Sequence, residues 1–191
     1  MPLPKENEVF TYGMYKTWPD DERWEIIEGV PYDMSPAPNT EHQRLSITIS
    51  NELYNFLKNK KCKVFTAPFD VRLPESDEAD DDITTVVQPD ILVVCDNKKL
   101  DNEGCKGAPD FIIEILSPST ASKDMKEKFF LYEKHGVKEY WIVEPLGKFI
   151  MVYSLQEDAK YGRAVTYTKG DKIESGVLKD LIVDLDLVFT D

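Results

Sequence analysis

Apolar positions along this chain switch between two periods, and the switches mark its elements. Trp24, Ile26, Ile27 and Val30 flank a glycine at Gly29, which predicts two short strands joined by a turn. Prolines over residues 34–39 predict a loop. Asn39 or Thr40 can then cap a helix reaching about Lys58, in which Leu45, Ile49, Leu53, Phe56 and Leu57 keep helical spacing. Strand character returns over residues 63–73, ends at Pro74, and resumes over 86–95 with an early proline at Pro89.

Residues 111–116 are almost continuously apolar, the pattern of a strand covered on both faces. A helix is expected over residues 121–134, stopped by a glycine cap at Gly136. Its Met125, Phe129 and Tyr132 recur at helical spacing and are expected to face the sheet, with Lys128 flanking that stripe and Lys123 and Lys126 projecting elsewhere. Residues 140–144 and 148–155 read as further strands, and short strands and turns close the chain. Residues 1–22 have no clear period and read as an arm laid over a single domain spanning 1–191. The order of elements predicts an α/β fold: a mixed sheet with helices packed on it.

One residue breaks the pattern in an informative way. Glu114 lies in Phe111-Ile112-Ile113-Glu114-Ile115-Leu116. A carboxylate on so apolar a strand must be paired, protonated or bound to metal, because burying a lone charge costs several kcal/mol. Asp90 opens the neighbouring apolar run and is the expected partner. Asp110 lies four residues from Glu114, roughly 13 Å along a strand, too far for both to ligate one ion. Lys128 brings an ammonium from the following helix, and Asp124 one turn earlier can pair with it. Two acids and a lysine in this arrangement suit phosphodiester hydrolysis. Magnesium takes oxygen ligands and keeps several waters, and an ammonium can stabilise charge developing on the phosphoryl group or help orient and deprotonate the attacking water.

Composition limits the alternatives. The chain has 191 residues, 41% hydrophobic, enough for a real core. Its net charge of −13 argues against a broad basic face for nucleic acid. Six acids fall within residues 75–82. Lysines cluster locally instead, at Lys58, Lys60, Lys61 and Lys63 and again at Lys123, Lys126, Lys128 and Lys134; both kinds of run are ordinarily solvated faces. No leader pattern opens the chain and no apolar run approaches about 18 residues, so no membrane span is expected. Three cysteines, Cys62, Cys95 and Cys105, form no C-x-x-C pair and read as free thiols in a reducing cytoplasm. His42 and His135 give no zinc spacing.

Several segments together resemble the Uma family, within the PD-(D/E)XK restriction-endonuclease-like superfamily. They include Trp24-Glu25-Ile26-Ile27-Glu28-Gly29, His42-Gln43, Gln88-Pro89-Asp90, Gly107-Ala108-Pro109-Asp110, Glu114 to Ser119 and Gly136-Val137-Lys138-Glu139-Tyr140-Trp141. The resemblance runs over about residues 8–160. It implies a restriction-endonuclease-like core with added N- and C-terminal strands, and a Mg²⁺- or Mn²⁺-dependent DNA endonuclease. Asp90, Glu114 and Lys128 are the implied catalytic residues, with Asp90, Glu114 and Glu25 around the metal. The superfamily's lysine two residues after the acid is Leu116 here, and Lys128 takes its place. His42 is a possible accessory, by contact with a phosphate, as is Asp124. DNA is the implied partner, and duplex cleavage would favour a homodimer. A nuclease fold kept as a nucleic-acid or protein binding module, and a metal-dependent hydrolase of another phosphoester, remain alternatives.

Overall fold

A computed structural model describes residues 8–19, 22–34, 39–118 and 120–190. Most of the expected loop before the first long helix, residues 35–38, lies outside the described residues, as do residues 1–7 and 20–21 of the expected arm. The rest of that arm holds one helical turn, α1 (Tyr12–Tyr15). A hairpin follows, β1 (Trp24–Ile27) and β2 (Val30–Asp33), turning through Gly29 at a φ of 80° that suits glycine. The long helix α2 (Thr40–Leu57) starts where Asn39 accepts the His42 N–H. Next come β3 (Lys63–Thr66), β4 (Val71–Arg72), β5 (Val86–Val87), β6 (Ile91–Val94), β7 (Leu100–Asp101), β8 (Gly104–Lys106) and β9 (Phe111–Ile115). After these lie α3 (Ala121–Met125), α4 (Glu127–Lys134), β10 (Glu139–Glu144), β11 (Phe149–Ser154), β12 (Val165–Thr168), β13 (Lys172–Glu174), β14 (Ile182–Asp184) and α5 (Leu185–Val188).

The central sheet runs β12-β11-β10-β9-β6-β3, with β9 and β10 parallel and the other neighbours antiparallel. Alternation along its strands divides the core into two layers. Ile91, Val93, Phe111, Ile113 and Ile115 face α2, whose Leu45, Ile49, Leu53 and Leu57 pack on them, with α5 closing that side. Leu92, Val94, Ile112 and Ile142 face the other way, onto Leu131 and Tyr132 of α4 and onto Val71 and Val87 of a second sheet, β2-β1-β5-β4-β8-β7. The expected mixed sheet flanked by helices is observed.

Three expectations are corrected. The stretch 63–73 is not one strand: it leaves the central sheet after Thr66 and rejoins the second sheet at Val71. The helix expected over 121–134 breaks at Lys126, whose φ of −124° and ψ of −75° are not helical. The break rotates α3 relative to α4, so Met125 is largely exposed instead of facing the sheet, while Tyr132 is buried. Finally, the cysteines are not all free thiols: Cys62 and Cys95 are joined by a disulfide, and Cys105 alone is free and buried. The register explains the pairing. Lys63 lies opposite Val94 on antiparallel β3 and β6, and the cysteines occupy the next position outward.

Candidate active site

The antiparallel register of β6 on β9 sets Ile91 opposite Ile113. Continuing that ladder by one position brings Asp90 opposite Glu114. The Asp90 N–H points at Glu114 Oε2 at 3.3 Å, and Asp90 Oδ2 accepts the Ile115 N–H at 2.8 Å. Pairing of two backbones therefore sets the two carboxylates side by side. His42, on the first turn of α2, reaches Asp90 Oδ2 through Nε2 at 3.1 Å. Facing a carboxylate, that nitrogen is the donor. Among the described residues Asp90 Oδ1 has no hydrogen-bond donor, which leaves it available to a ligand.

Glu114 projects to the α4 side of the sheet. Its Oε1 accepts from the Lys128 ammonium at 2.8 Å and from the Tyr132 hydroxyl at 2.7 Å. Lys128 is only 2% exposed and is also 2.7 Å from Glu25 Oε1 on β1. Asp124 lies 3.7 Å from the same ammonium, so the expected i,i+4 pair is present but is the longest of the three. Lys123 meets Glu25 Oε2 at 2.7 Å. Both Glu25 oxygens are thus engaged by lysines, and Oε1 also accepts the Gln88 N–H.

All six residues expected at the site, Asp90, Glu114, Lys128, Glu25, His42 and Asp124, gather here. The five other than Glu25 line a cavity of about 550 Å³. Asp110 does not join them; it pairs with Lys138 and the Cys95 N–H on another part of the sheet. Two participants were missed. Lys123 was expected to project elsewhere, but the rotation at Lys126 turns it inward; no glycine or proline signals that break. Tyr132 was read as a core residue only. Its hydroxyl, at helical spacing one turn after Lys128, was the available signal, since a buried tyrosine needs a partner.

The electrostatics follow from four carboxylates around two ammonium groups and a histidine. Burial pushes the Glu114 carboxyl to about 8, the pull of Lys128 being opposed by repulsion from Asp124, Asp90 and Glu25. Burial likewise raises Asp124. Glu25 goes the other way: burial would raise it, but Lys128 and Lys123 hold it below the usual carboxylate value. Burial would lower Lys128, yet Glu114, Glu25 and Asp124 hold it well above its ordinary value. Lys128 is therefore a fixed cation. Burial would lower His42 too, and Asp90 outweighs it.

This donor set suits a hard divalent cation. Glu114 and Asp90 sit adjacent in a site with excess negative charge, and each keeps an oxygen outside the lysine contacts. Among the described residues no group of three His, Cys, Asp or Glu side chains could hold a metal alone. An ion here would be held by one or two carboxylates, waters and substrate oxygen, as magnesium commonly is.

A family model described as "Putative restriction endonuclease" (Uma2) matches residues 13–186. The chain belongs to the Uma2 family. An uncharacterized protein of Synechocystis sp. is 23% identical over 163 residues, 84% of this chain and 81% of the other. The crystal structure of a putative nuclease of DUF820 from Anabaena variabilis superposes with a TM-score of 0.75 at 18% identity, covering 95% of this Uma2 chain and 98% of that one. The fold is thus shared over nearly the whole length. Among the described residues, no helix is long and apolar enough to cross a membrane.

Proposed function

We propose that this chain is a Mg²⁺- or Mn²⁺-dependent endonuclease that hydrolyses DNA phosphodiester bonds. The observation that carries the reading is the buried contact of Lys128 with Glu114, beside an Asp90 that keeps one oxygen uncommitted. Membership in a family described as "Putative restriction endonuclease" supports the same reaction class.

Asp90 Oδ1 and Glu114 Oε2 are the oxygens that would hold the ion. Once bound, the ion would polarise the phosphoryl group and lower the pKa of a bound water. The chain's own residues do the rest. His42 and the Ile115 N–H fix one Asp90 oxygen, so the other presents in a single direction. Tyr132 and Lys128 fix one Glu114 oxygen in the same way. Because three acids keep Lys128 protonated, its role is to stabilise negative charge on the phosphoryl oxygens rather than to accept a proton. Glu25 holds Lys128 and Lys123 in place. A position for Glu25 in the metal shell would require it to release one of those lysines.

The test is nicking of supercoiled plasmid in Mg²⁺ or Mn²⁺, with EDTA and Asp90→Ala as controls. Cleavage that needs the ion and Asp90 supports the reading. Asp90→Ala cleaving as well as wild type overturns it.

A further inference from the structure

The Lys58, Lys60, Lys61 and Lys63 cluster has no part in the site described above, yet the fold places it on a path leading out of that site. Between α2 and the edge strand β3 runs a second depression of about 540 Å³, lined by Ile47, Ser50, Asn51, Tyr54, Val64 and Phe65, with Thr66 at its end. Ile47, Ser50 and Thr66 also line the active-site cavity, so the two are continuous. Along α2, Gln43, Ile47, Asn51 and Tyr54 recur at i, i+4, i+8 and i+11, and Lys58, the residue that caps the helix's C-terminus, follows at i+15, so the five make one stripe. That stripe is about 22 Å long at 1.5 Å per residue. It starts at Gln43 in the cavity and ends at the lysines.

Three properties of this groove set it apart. The chain carries 36 acidic residues and a net charge of −13, yet none of the groove's lining residues is acidic. Two of its apolar side chains are open to solvent, Ile47 at 71% and Tyr54 at 60% exposed, while Val64 and Phe65 are partly buried against the core. All four lysines at its end are exposed. Lys60 lies over the Phe56 ring, and Lys58, Lys61 and Lys63 have no acidic partner among the described residues.

We infer that this groove carries a nucleic-acid strand out of the active site, with an unpaired base stacked on Tyr54 and the backbone phosphates reaching Lys58, Lys61 and Lys63. An exposed ring beside Ser50 and Asn51, followed by cations, is the combination that holds single strands: aromatic faces take bases of any sequence and ammonium groups track the phosphates. A paired base would offer no free face to the ring, so the occupant is an unpaired segment. The inference rests on the nuclease reading only for the kind of ligand, and its test can be separated from catalysis.

The experiment is fluorescence anisotropy with a labelled single-stranded oligonucleotide and a blunt duplex of equal length, in EDTA so that no cleavage occurs. The proteins are wild type, Tyr54→Ala, Tyr54→Phe and the triple variant Lys58→Ala/Lys61→Ala/Lys63→Ala, all altered at exposed positions and checked by circular dichroism. Wild type is expected to bind the single strand more tightly than the duplex. Tyr54→Ala is expected to weaken single-strand binding about 5- to 100-fold, with Tyr54→Phe close to wild type. The triple variant is expected to reduce the slope of log K against log salt by about 2. No binding by wild type, or variants that bind with unchanged affinity and salt slope, would overturn the strand path even if plasmid nicking depends on Asp90. A Tyr54→Ala variant that loses self-association or a protein partner while keeping its oligonucleotide affinity would overturn it as well. Loss of binding in the variants with no cleavage by wild type would keep the strand path and remove the nuclease reading.

Discussion

The Lys128 ammonium lies 2.8 Å from Glu114 Oε1 in a place where each residue is only 2% exposed. A cation and a carboxyl group so enclosed have no water to fall back on, so each fixes the other's position. The rest of the site is arranged around that contact.

The first consequence is proton exchange on metal binding. In the metal-free protein Glu114 titrates at about 8, above the ordinary 4.5, because burial and three neighbouring acids oppose its charge. Between those two values the folded protein holds a proton that the unfolded chain lacks. Stability of the metal-free protein therefore contains a component that is full below about pH 4.5 and fades as pH rises through 8. An ion needs the carboxylate, so Mg²⁺ or Mn²⁺ added at pH 7 is expected to release a proton. Calorimetric titration in buffers of different ionisation enthalpy measures it. Glu114→Gln should abolish the release; a wild type that binds the ion without exchanging protons would contradict the assignment.

Glu25 separates two roles for a buried acid. Its oxygens are engaged by Lys123 and Lys128. Glu25→Gln is expected to slow cleavage about 100-fold by loosening Lys128, on the scale seen when a reacting group is displaced by about 1 Å, while Mn²⁺ affinity stays unchanged. A tenfold or greater loss of affinity would instead put Glu25 in the metal shell.

How much of this was legible in the sequence depends on the residue. Glu114 was readable because a carboxylate in an apolar strand is anomalous by itself, and Asp90 because it opens the neighbouring apolar run. Lys128 was readable from its place one turn before Tyr132, whereas the spacing to Met125 misled, since Met125 lies beyond the break and is exposed. Lys123 was not: its orientation depends on the break at Lys126, which no glycine or proline announces. The disulfide was hidden for a related reason, since Cys62 and Cys95 meet only through the register of β3 on β6, and 33 positions separate them.

That disulfide can be counted chemically. Alkylation of the denatured, unreduced protein is expected to label Cys105 alone, read as one mass increment. Three increments would contradict the pairing of Cys62 with Cys95.

Asp110 serves the fold rather than the site. Burial would raise its carboxyl, but Lys138 and the Cys95 N–H hold it below the usual 3.8. A depressed value means stability present above about pH 3.8 and lost as pH falls through the folded value. Asp110→Asn is expected to cost about 1 kcal/mol at pH 7, measured by urea denaturation, with the difference from wild type closing in stronger acid. A difference that persists at pH 2 would show that the charge is not its source.

The most direct test of the central claim is the single-turnover rate of plasmid cleavage by Lys128→Met at saturating Mn²⁺, with folding verified by circular dichroism and metal affinity measured alongside. If the Lys128 ammonium stabilises the charge that develops on the phosphoryl oxygens, the rate falls at least about 100-fold while the ion still binds. A folded Lys128→Met that cleaves at the wild-type rate would contradict it.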